Sequence, residues 1–370
     1  MPARSAWLRY GPPGDESRAP TPEHTMTTTR GFFRNAFALI AFAWAAHAGG
    51  AETAGAPAQV TESPLPVSVI HFPGSTALPL YVASAKGMFA EQGLAVTMTP
   101  TVNSRQLMLG VLQNQYDIGQ AAIDNLVAYQ EKQAAPELDV DRDLVAFMGT
   151  SSTNLYFVVQ PAIRSYADLK GKTLAVDGAT TGFAFVLRKM LELGGLQETD
   201  YTLLPVGGDA ARLEALKAGK ADGALMGADF AQRAVAGGLK ELGASLDTLH
   251  DYQGTSFFAR RSWAKSHRET MLRFVRALRE AHAWIYDKGN KSEAARILAA
   301  QSPGLAVDLA EKSIDQLTAA SGGLSRTGAL DIAGIKVVLD LRNQYAVPRH
   351  KLDDPYRYVD TSYFKDAESR

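Results

Sequence analysis

The sequence predicts an α/β protein built from two lobes of similar design, and three observations support this class. Short apolar strands alternate along the chain with amphipathic helices, and turns rich in glycine and small polar residues separate them. The chain has 370 residues, of which 46% are hydrophobic and 21% are charged, as expected for a soluble protein of two domains or lobes. A weak internal repeat favours two sheets over one large sheet.

The first lobe is predicted to begin at about residue 64. Gly93 ends its first helix, and Asn103 and Ser104 are suited to cap the second. The expected strands are 65–71, 94–99, 117–122 and 144–148, and the expected helices are 77–92, 105–115 and 124–132.

The same alternation then recurs in a second lobe. Ser165 and Asp168 predict a capping box before its first strand. The expected strands are 173–176, 201–206 and 222–226, and the helices are 183–193, 210–218 and one from about 229. Chance remains the alternative to a repeat, because any two strand–helix units look alike. The alignment matches Asp117 with Asp222, Met108 with Leu213, Val111 with Leu216 and Asn114 with Gly219.

Two short apolar strands, 154–160 and 255–260, flank the second lobe and are interpreted as the crossings between lobes. The predicted boundaries are 64–153 with 257–370 for lobe 1, and 154–256 for lobe 2. Amphipathic helices predicted at 263–286, 292–300, 307–320 and 332–344 are expected to pack on lobe 1 rather than to form a catalytic region.

Residues 1–48 are predicted to comprise an N-terminal extension and a secretory signal peptide. A second start at Met26 precedes the basic residues Arg30 and Arg34, an apolar run at 36–46 and a small-residue cleavage site that ends at Ala48. A membrane anchor is disfavoured because the apolar run is short. Residues 49–63 are small and polar, which predicts a disordered linker.

The composition excludes several classes of function. A net charge of −1 gives no reason to expect nucleic acid as a partner. The absence of cysteine excludes disulfides, thiolate metal sites, a cysteine nucleophile and a lipid-modified cysteine, so that export predicts a free periplasmic protein. Gly171-Lys172-Thr173 imitates a phosphate-binding loop, but Tyr166 occupies the place of its first glycine. No metal and no cofactor are expected.

Two stretches carry a resemblance to a known family. The strand, polar turn and helix of 165–193 and the motif KGMFAEQGL at 86–94 resemble extracytoplasmic solute-binding proteins of ABC importers. The similar group is the sulfonate/taurine/nitrate and thiamine-pyrimidine-precursor group, described as NMT1/THI5-like or SsuA-like, and the resemblance covers about 66–284. It implies a type II periplasmic-binding-protein fold, in which two hinge strands join two α/β lobes. It also implies a small-molecule solute and ABC permease subunits as partners, and a monomer.

Small polar residues occur repeatedly where a predicted strand turns into a helix. Ligands of open α/β sheets bind at the carboxyl ends of strands, so two facing lobes would bring these turns together around one cleft. For each cluster singly, helix capping is the alternative role, and the resemblance favours ligand contact most for Thr180, Thr181 and Ser75. The candidate ligand-binding residues are Ser75, Thr76, Asn103, Asp124, Asn125, Ser151, Ser152, Thr153, Thr180, Thr181, Gly182 and Asp229.

The chemistry of the ligand stays open at this point. Asp124 and Asp229 suit a ligand with hydrogen-bond donors, such as an aminopyrimidine. Hydroxyl groups and helix N-termini favour a sulfonate or a carboxylate, and the free amides near Gly182 are expected to meet the ligand's most electron-rich group. Aromatic residues near the turns could stack on a flat ligand; they are Phe72, Tyr156, Phe183, Phe230 and Tyr252.

The sequence therefore predicts a periplasmic substrate-binding protein of an ABC import system, without catalysis. One alternative is an enzyme similar to the pyrimidine-precursor synthase of the same fold, for which the resemblance implies a cysteine-rich iron-binding motif that this chain lacks. Another alternative is a periplasmic ligand sensor that serves no importer.

Overall fold

Two five-stranded mixed sheets organise the structure, a computed structural model that describes residues 63–152, 154–249, 251–320 and 323–368. The expectations for the extension, the signal peptide, the linker up to residue 62 and Thr153 lie outside the described residues. The sheet of lobe 1 contains β1 (Leu65–His71), β2 (Leu94–Pro100), β3 (Ile118–Ala122), β4 (Leu144–Gly149) and β10 (Thr255–Arg260). The sheet of lobe 2 contains β5 (Tyr156–Val159), β6 (Lys172–Val176), β7 (Tyr201–Pro205), β8 (Gly223–Met226) and β9 (Lys240–Ala244).

The two sheets have the same topology. The strand order is β2-β1-β3-β10-β4 in lobe 1 and β7-β6-β8-β5-β9 in lobe 2. In each sheet three parallel strands are followed by one antiparallel strand, β10 or β5, that the chain contributes when it passes between lobes. The predicted α/β class with two lobes is confirmed.

The internal repeat is confirmed in register as well as in order. Each paired residue of lobe 2 follows its equivalent in lobe 1 by the same number of positions. That number is the separation of Asp117 and Asp222, which the sequence alignment matched. A shared register is not expected of two unrelated strand–helix units, so chance similarity no longer accounts for the repeat. The equivalent strand pairs are Val69–Ile118 and Leu174–Gly223, and the equivalent amide–carboxylate hydrogen bonds are Ser68–Asp117 at 2.8 Å and Thr173–Asp222 at 2.9 Å.

Thirteen α-helices cover the sheets in the described part of the chain. Lobe 1 has α1 (Leu78–Ala85), α2 (Met88–Glu91), α3 (Ser104–Leu112) and α4 (Ile123–Gln130), and lobe 2 has α5 (Gly182–Leu193), α6 (Asp209–Lys217) and α7 (Ala228–Ala236). The C-terminal helices are α8 (Arg261–Ser266), α9 (Arg268–Tyr286), α10 (Lys291–Gln301), α11 (Val307–Thr318), α12 (Ile332–Tyr345) and α13 (Ser362–Glu368). No described helix combines the length and the apolar character that a membrane span requires.

Two predicted helices are interrupted. The helix expected at 77–92 breaks at Gly87, whose φ of 76° lies in the left-handed region that glycine adopts without strain. The helix expected at 263–286 begins at Arg261 and breaks at His267, which separates α8 from α9. The strand β9 and the helix α13 were not predicted. Three-residue or four-residue 3-10 helices occur at Ser75–Ala77, Tyr166–Leu169, Glu198–Asp200, Ser245–Asp247, Lys288–Asn290 and Pro355–Tyr358.

The crossings between lobes lie beside the strands that were predicted for them. Strands β5 and β10 are built into the sheets, and the chain crosses just before each of them, where Ser152 and Gln253 form an isolated antiparallel bridge. The buried Gln253 side chain donates to the carbonyl oxygens of Ser151 (3.0 Å) and Thr255 (3.1 Å) and accepts from Asp331 N–H at 2.8 Å. One side chain thus joins both crossings to the segment that begins α12.

The expectation that the C-terminal helices pack on lobe 1 is incomplete for α11 and α12, each of which packs on lobe 1 and also on lobe 2. Helix α11 packs against α7, and α12 packs against both α4 of lobe 1 and α5 of lobe 2. Val338 and Leu339 of α12 belong to one apolar core with Leu126 of α4 and with Phe185 and Leu187 of α5. An apolar stripe does not by itself tell which surface it will cover. Separate movement of the two lobes stays a prediction.

Candidate functional site

Two adjoining cavities lie between the lobes. The first has a volume of about 60 Å³ and the second about 470 Å³, and they share Asn125, Asp177 and Thr181. The first is lined by Phe72, Pro73, Thr76, Ala121, Ala122, Asn125, Leu155, Asp177, Thr181, Gly182, Phe183, Asp209, Arg212, Gly227 and Thr255. The second is lined by Asn103, Ser104, Arg105, Asn125, Ala128, Tyr129, Gln133, Ala134, Ala135, Asp177, Gly178, Thr180, Thr181, Pro205, Val206 and Gly207.

The topology explains why these residues meet. Phe72 follows β1, Asp177 follows β6 and Gly227 follows β8, each at the carboxyl end of its strand. The carboxyl ends of parallel strands share one edge of a sheet, and here the two edges face each other. The expectation of a cleft between facing turns is therefore met by the described geometry.

The twelve candidate residues fall into four groups. Thr76, Asn103, Asn125, Thr180, Thr181 and Gly182 line a cavity. Ser75, Asp124 and Asp229 are each 1% exposed and line neither cavity. Ser151 and Ser152 lie at the crossings and line neither cavity, and Thr153 lies outside the described residues. A role in ligand binding stays a prediction for each of them.

The candidate residues also differ in whether their side chains cap a helix. Asn103 caps α3, since its side-chain oxygen accepts from Gln106 N–H at 2.8 Å. The Thr181 hydroxyl instead donates to the carbonyl oxygen of Gly178 at 2.8 Å and does not cap α5. The first amides of α5 are therefore open to another acceptor.

That acceptor is Asp124, from the opposite lobe. Gly182 N–H faces the Asp124 carboxyl group, and a Cβ atom added at Gly182 would lie 2.4 Å from Asp124 Cβ. Only glycine permits this approach. A carboxylate of the chain itself thus lies where an electron-rich ligand group was expected, and ligand contact at this turn stays a prediction.

Asp124 is neutralised by an arginine from α12. Its Oδ1 atom lies 2.6 Å from a terminal guanidinium nitrogen of Arg342, and both side chains are buried. Arg342 also donates from Nε to the Gln133 side chain at 2.7 Å. Burial raises the pKa of the Asp124 carboxyl group, and the Arg342 guanidinium opposes that rise.

Asp229 is the equivalent residue of lobe 2, and it reaches across the cleft in the other direction. Its Oδ1 atom accepts from Ser75 N–H at 3.0 Å, while Oδ2 has no hydrogen-bond partner among the described residues. Burial raises the pKa of Asp229. No described Lys or Arg nitrogen lies within 4.0 Å of this carboxyl group.

The sequence patterns did not identify three residues of this site as functional candidates. Asp177 was read only as a turn residue, yet it lines both cavities and its two oxygens accept from Ser104 N–H at 3.2 and 3.5 Å. Asp209 accepts from Gly227 N–H at 2.8 Å and pairs with Arg212, which donates to the Leu225 carbonyl oxygen. The available clue was position, because Asp177 directly follows a strand and Asp209 begins a helix.

Comparison with known sequences gives one family. A sequence profile described as NMT1/THI5 like matches residues 75–292, which is more than half of the chain. No curated protein matches the sequence significantly.

Comparison with solved structures confirms the fold of periplasmic binding proteins. The ligand-binding component of an ABC-type import system from Staphylococcus aureus has a TM-score of 0.67 and 13% identity, over 82% of this chain and 99% of that chain. The periplasmic nitrate-binding protein NrtA from Synechocystis has a TM-score of 0.67 and 14% identity, over 82% and 88%. The alkanesulfonate-binding protein SsuA from Xanthomonas axonopodis has a TM-score of 0.60 and 18% identity, over 82% and 98%. These similar structures are binding proteins rather than enzymes.

Proposed function

We propose that this chain, which belongs to the NMT1/THI5-like family, is the substrate-binding protein of an ABC import system. It captures a small polar or anionic organic solute that is sulfonate-like, nitrate-like or pyrimidine-like between its lobes and delivers it to a permease. It acts as a monomer and catalyses no reaction.

The observation that carries this proposal is a cavity with walls from both lobes. Thr76 and Asn125 come from lobe 1, whereas Asp177 and Thr181 come from lobe 2. A solute held there gains contacts with both lobes only when they are together. Binding therefore shifts the population toward the closed arrangement, which a permease can distinguish from the open one.

Export to the periplasm is part of the proposal. The basic residues after Met26, the apolar run and the small residues up to Ala48 support a signal peptide. The periplasmic location named for the structurally similar nitrate-binding protein is consistent with this. Intact mass of the exported protein should show a chain that begins at Gly49, and a product that retains residues 1–25 would contradict the assigned start.

The function is tested by a ligand screen on the mature protein. Sulfonates, nitrate, aromatic carboxylates, pyrimidines and nitrogen cations are added in a thermal-shift assay, and calorimetry follows for each solute that raises the melting temperature. We expect at least one solute to bind, to compact the protein in small-angle scattering and to be recovered unchanged by mass spectrometry. Failure of every solute class, or conversion of the solute to a product, would overturn the proposed function.

A further inference from the structure

The charges around the cleft are unevenly balanced. Three arginines line the cavities or lie directly behind their walls, and each is already paired with a carboxylate of the chain. The pairs are Arg342 with Asp124 at 2.6 Å, Arg105 with Glu137 at 3.1 Å, and Arg212 with Asp209. Arg233 lies further out, where it stacks on Phe230 and donates to the Pro303 carbonyl oxygen. Each of these three arginines therefore has a described carboxylate partner, although the Arg105–Glu137 pair is exposed and Arg342 Nη2 has no described hydrogen-bond partner.

At each of four turns around the cleft, one backbone amide that could hold an anion faces a carboxylate of the chain. Helix N-termini bind anions through their free N–H groups. Here Ser104 N–H donates to Asp177, and Gly182 N–H faces Asp124. Ser75 N–H donates to Asp229, and Gly227 N–H donates to Asp209. An oxyanion would have to displace these carboxylates and would then lie beside them.

Two of the carboxylates have no cation within 4.0 Å. Asp177 forms part of the wall of both cavities, and its only described hydrogen-bond donor is Ser104 N–H. Asp229 lies immediately behind Gly227, which lines the first cavity, and its Oδ2 atom is buried without a partner. An ionised carboxylate accepts hydrogen bonds only, so the buried Asp229 Oδ2 atom lacks a donor, and the half-buried Asp177 can accept from a ligand in the cavity.

The residues that line the first cavity add a second constraint on the ligand. Phe72 from lobe 1 and Phe183 from lobe 2 line this cavity together with Asp177. Aromatic faces attract cations as well as flat apolar groups. The cavity therefore combines a negative end with aromatic sides.

Resting on the proposed role as a solute-binding protein, but departing from its sulfonate and nitrate kinds of solute, we propose that the cleft selects a small, flat nitrogen cation of the amidinium or guanidinium class. Asp177 is the specificity-determining residue and accepts the N–H groups of the ligand. The planar N–H pair of such a cation matches a carboxylate in a bidentate arrangement, and each bond is charge-assisted. An oxyanion of the same shape meets repulsion from Asp177 instead.

The test uses probes that match in shape and differ in charge. Benzamidinium is compared with benzoate, and guanidinium with nitrate, by calorimetry on the mature protein at one ionic strength. We expect each cation to bind at least about tenfold more tightly than its matched anion. Equal affinities, or tighter binding of benzoate or nitrate, would overturn the assignment.

Two variants separate a specific contact from a general effect of charge. Asp177→Asn keeps an oxygen for Ser104 N–H but removes the charge, and it should weaken benzamidinium binding about tenfold without weakening benzoate. Glu280→Gln removes a charge from an exposed position of α9, no residue of which lines the two cavities. An equal loss in both variants would contradict the role of Asp177. If none of the four probes binds while another solute of the screen does, the ligand class is wrong and the proposed function stands.

Discussion

Asp124 and Asp229 occupy equivalent positions of the two lobes but have opposite electrostatic surroundings. Each lies in the first turn of the helix after the third parallel strand, each is 1% exposed, and each reaches the opposite lobe. Asp124 has a guanidinium at 2.6 Å, whereas Asp229 accepts from the Ser75 N–H at 3.0 Å and has no described Lys or Arg nitrogen within 4.0 Å. The fold therefore fixes where the two carboxylates lie, but it does not fix how their charge is balanced.

The cause of the difference lies outside the repeat. Arg342 belongs to α12, which follows the strands of both sheets in the chain and packs against α4 and α5. The corresponding place beside Asp229 holds no arginine within 4.0 Å, because Arg233 turns outward over the Phe230 ring. One C-terminal helix thus changes the chemistry of one wall of the cleft.

The largest expected effect concerns Arg342, the guanidinium that lies beside Asp124 and has no counterpart beside Asp229. Arg342→Met leaves Asp124 buried without its partner, which should reduce the free energy of unfolding by about 3–5 kcal/mol in urea denaturation at pH 7. The matched variant Arg233→Met should cost less than about 1 kcal/mol, because no carboxylate of the described residues lies within 4.0 Å of Arg233.

A double variant separates the lost charge partner from lost packing. Arg342→Met with Asp124→Leu removes both charges from the same site and should recover most of the stability lost in Arg342→Met. If the double variant is as unstable as the single variant, packing of the arginine stem rather than charge is responsible.

A second prediction concerns the approach of Asp124 to the opposite lobe. Gly182→Ala places a Cβ atom 2.4 Å from Asp124 Cβ, whereas the equivalent residue of lobe 1 is already Ala77. Overpacking of about 1–3 kcal/mol should lower the calorimetric affinity for the solute found by screening about tenfold to a hundredfold. The melting temperature should fall by less than this cost alone implies, since alanine suits a helix better than glycine.

The control for this prediction is Gly237→Ala. An added Cβ atom there meets nothing closer than 3.3 Å, and the residue lies at the end of α7 rather than in the cleft. Unchanged affinity in Gly182→Ala would mean that the contact between Asp124 and Gly182 is not formed in the complex.

A third prediction concerns the pH dependence of the unpaired carboxylate. The pKa of Asp229 is higher in the folded protein than in the unfolded chain, chiefly because of burial. Its contribution to stability is therefore present at low pH and is lost as pH rises from about 4 through the raised pKa. Asp229→Asn keeps an acceptor for Ser75 N–H and should remove this loss, with a gain on the order of 1 kcal/mol at pH 7.

The equivalent substitution in lobe 1 should act in the opposite direction. Asp124→Asn leaves the buried Arg342 without a carboxylate and should destabilise the protein at pH 7. Melting temperatures of both variants between pH 4 and 8 give the measurement, and the same sign for both at pH 7 would show that the two walls do not differ.

Local patterns allowed the strands, most helices and the repeat to be predicted, because each follows from residues near in sequence. The cleft was predictable for a related reason, since the carboxyl ends of strands must share an edge. The pairing of Arg342 with Asp124 was not predictable, because it joins residues far apart in the chain through α12. Asp177 was missed because an Asp-Gly pair has the same local chemistry in a plain turn and at a binding site.

The smallest expected effect concerns two equivalent threonines, Thr76 and Thr181, both of which line the first cavity. The Thr181 hydroxyl donates to the Gly178 carbonyl oxygen at 2.8 Å and closes the turn before α5. Thr181→Val removes this bond and should cost about 1 kcal/mol of stability. Thr76→Val should change stability by less than about 0.5 kcal/mol, because the described contacts of its side chain include no such bond. Urea denaturation of the two variants provides the comparison. A larger cost at Thr76 would mean that its hydroxyl forms a turn-closing bond in solution, and the two turns would then be alike in hydrogen bonding as well as in position.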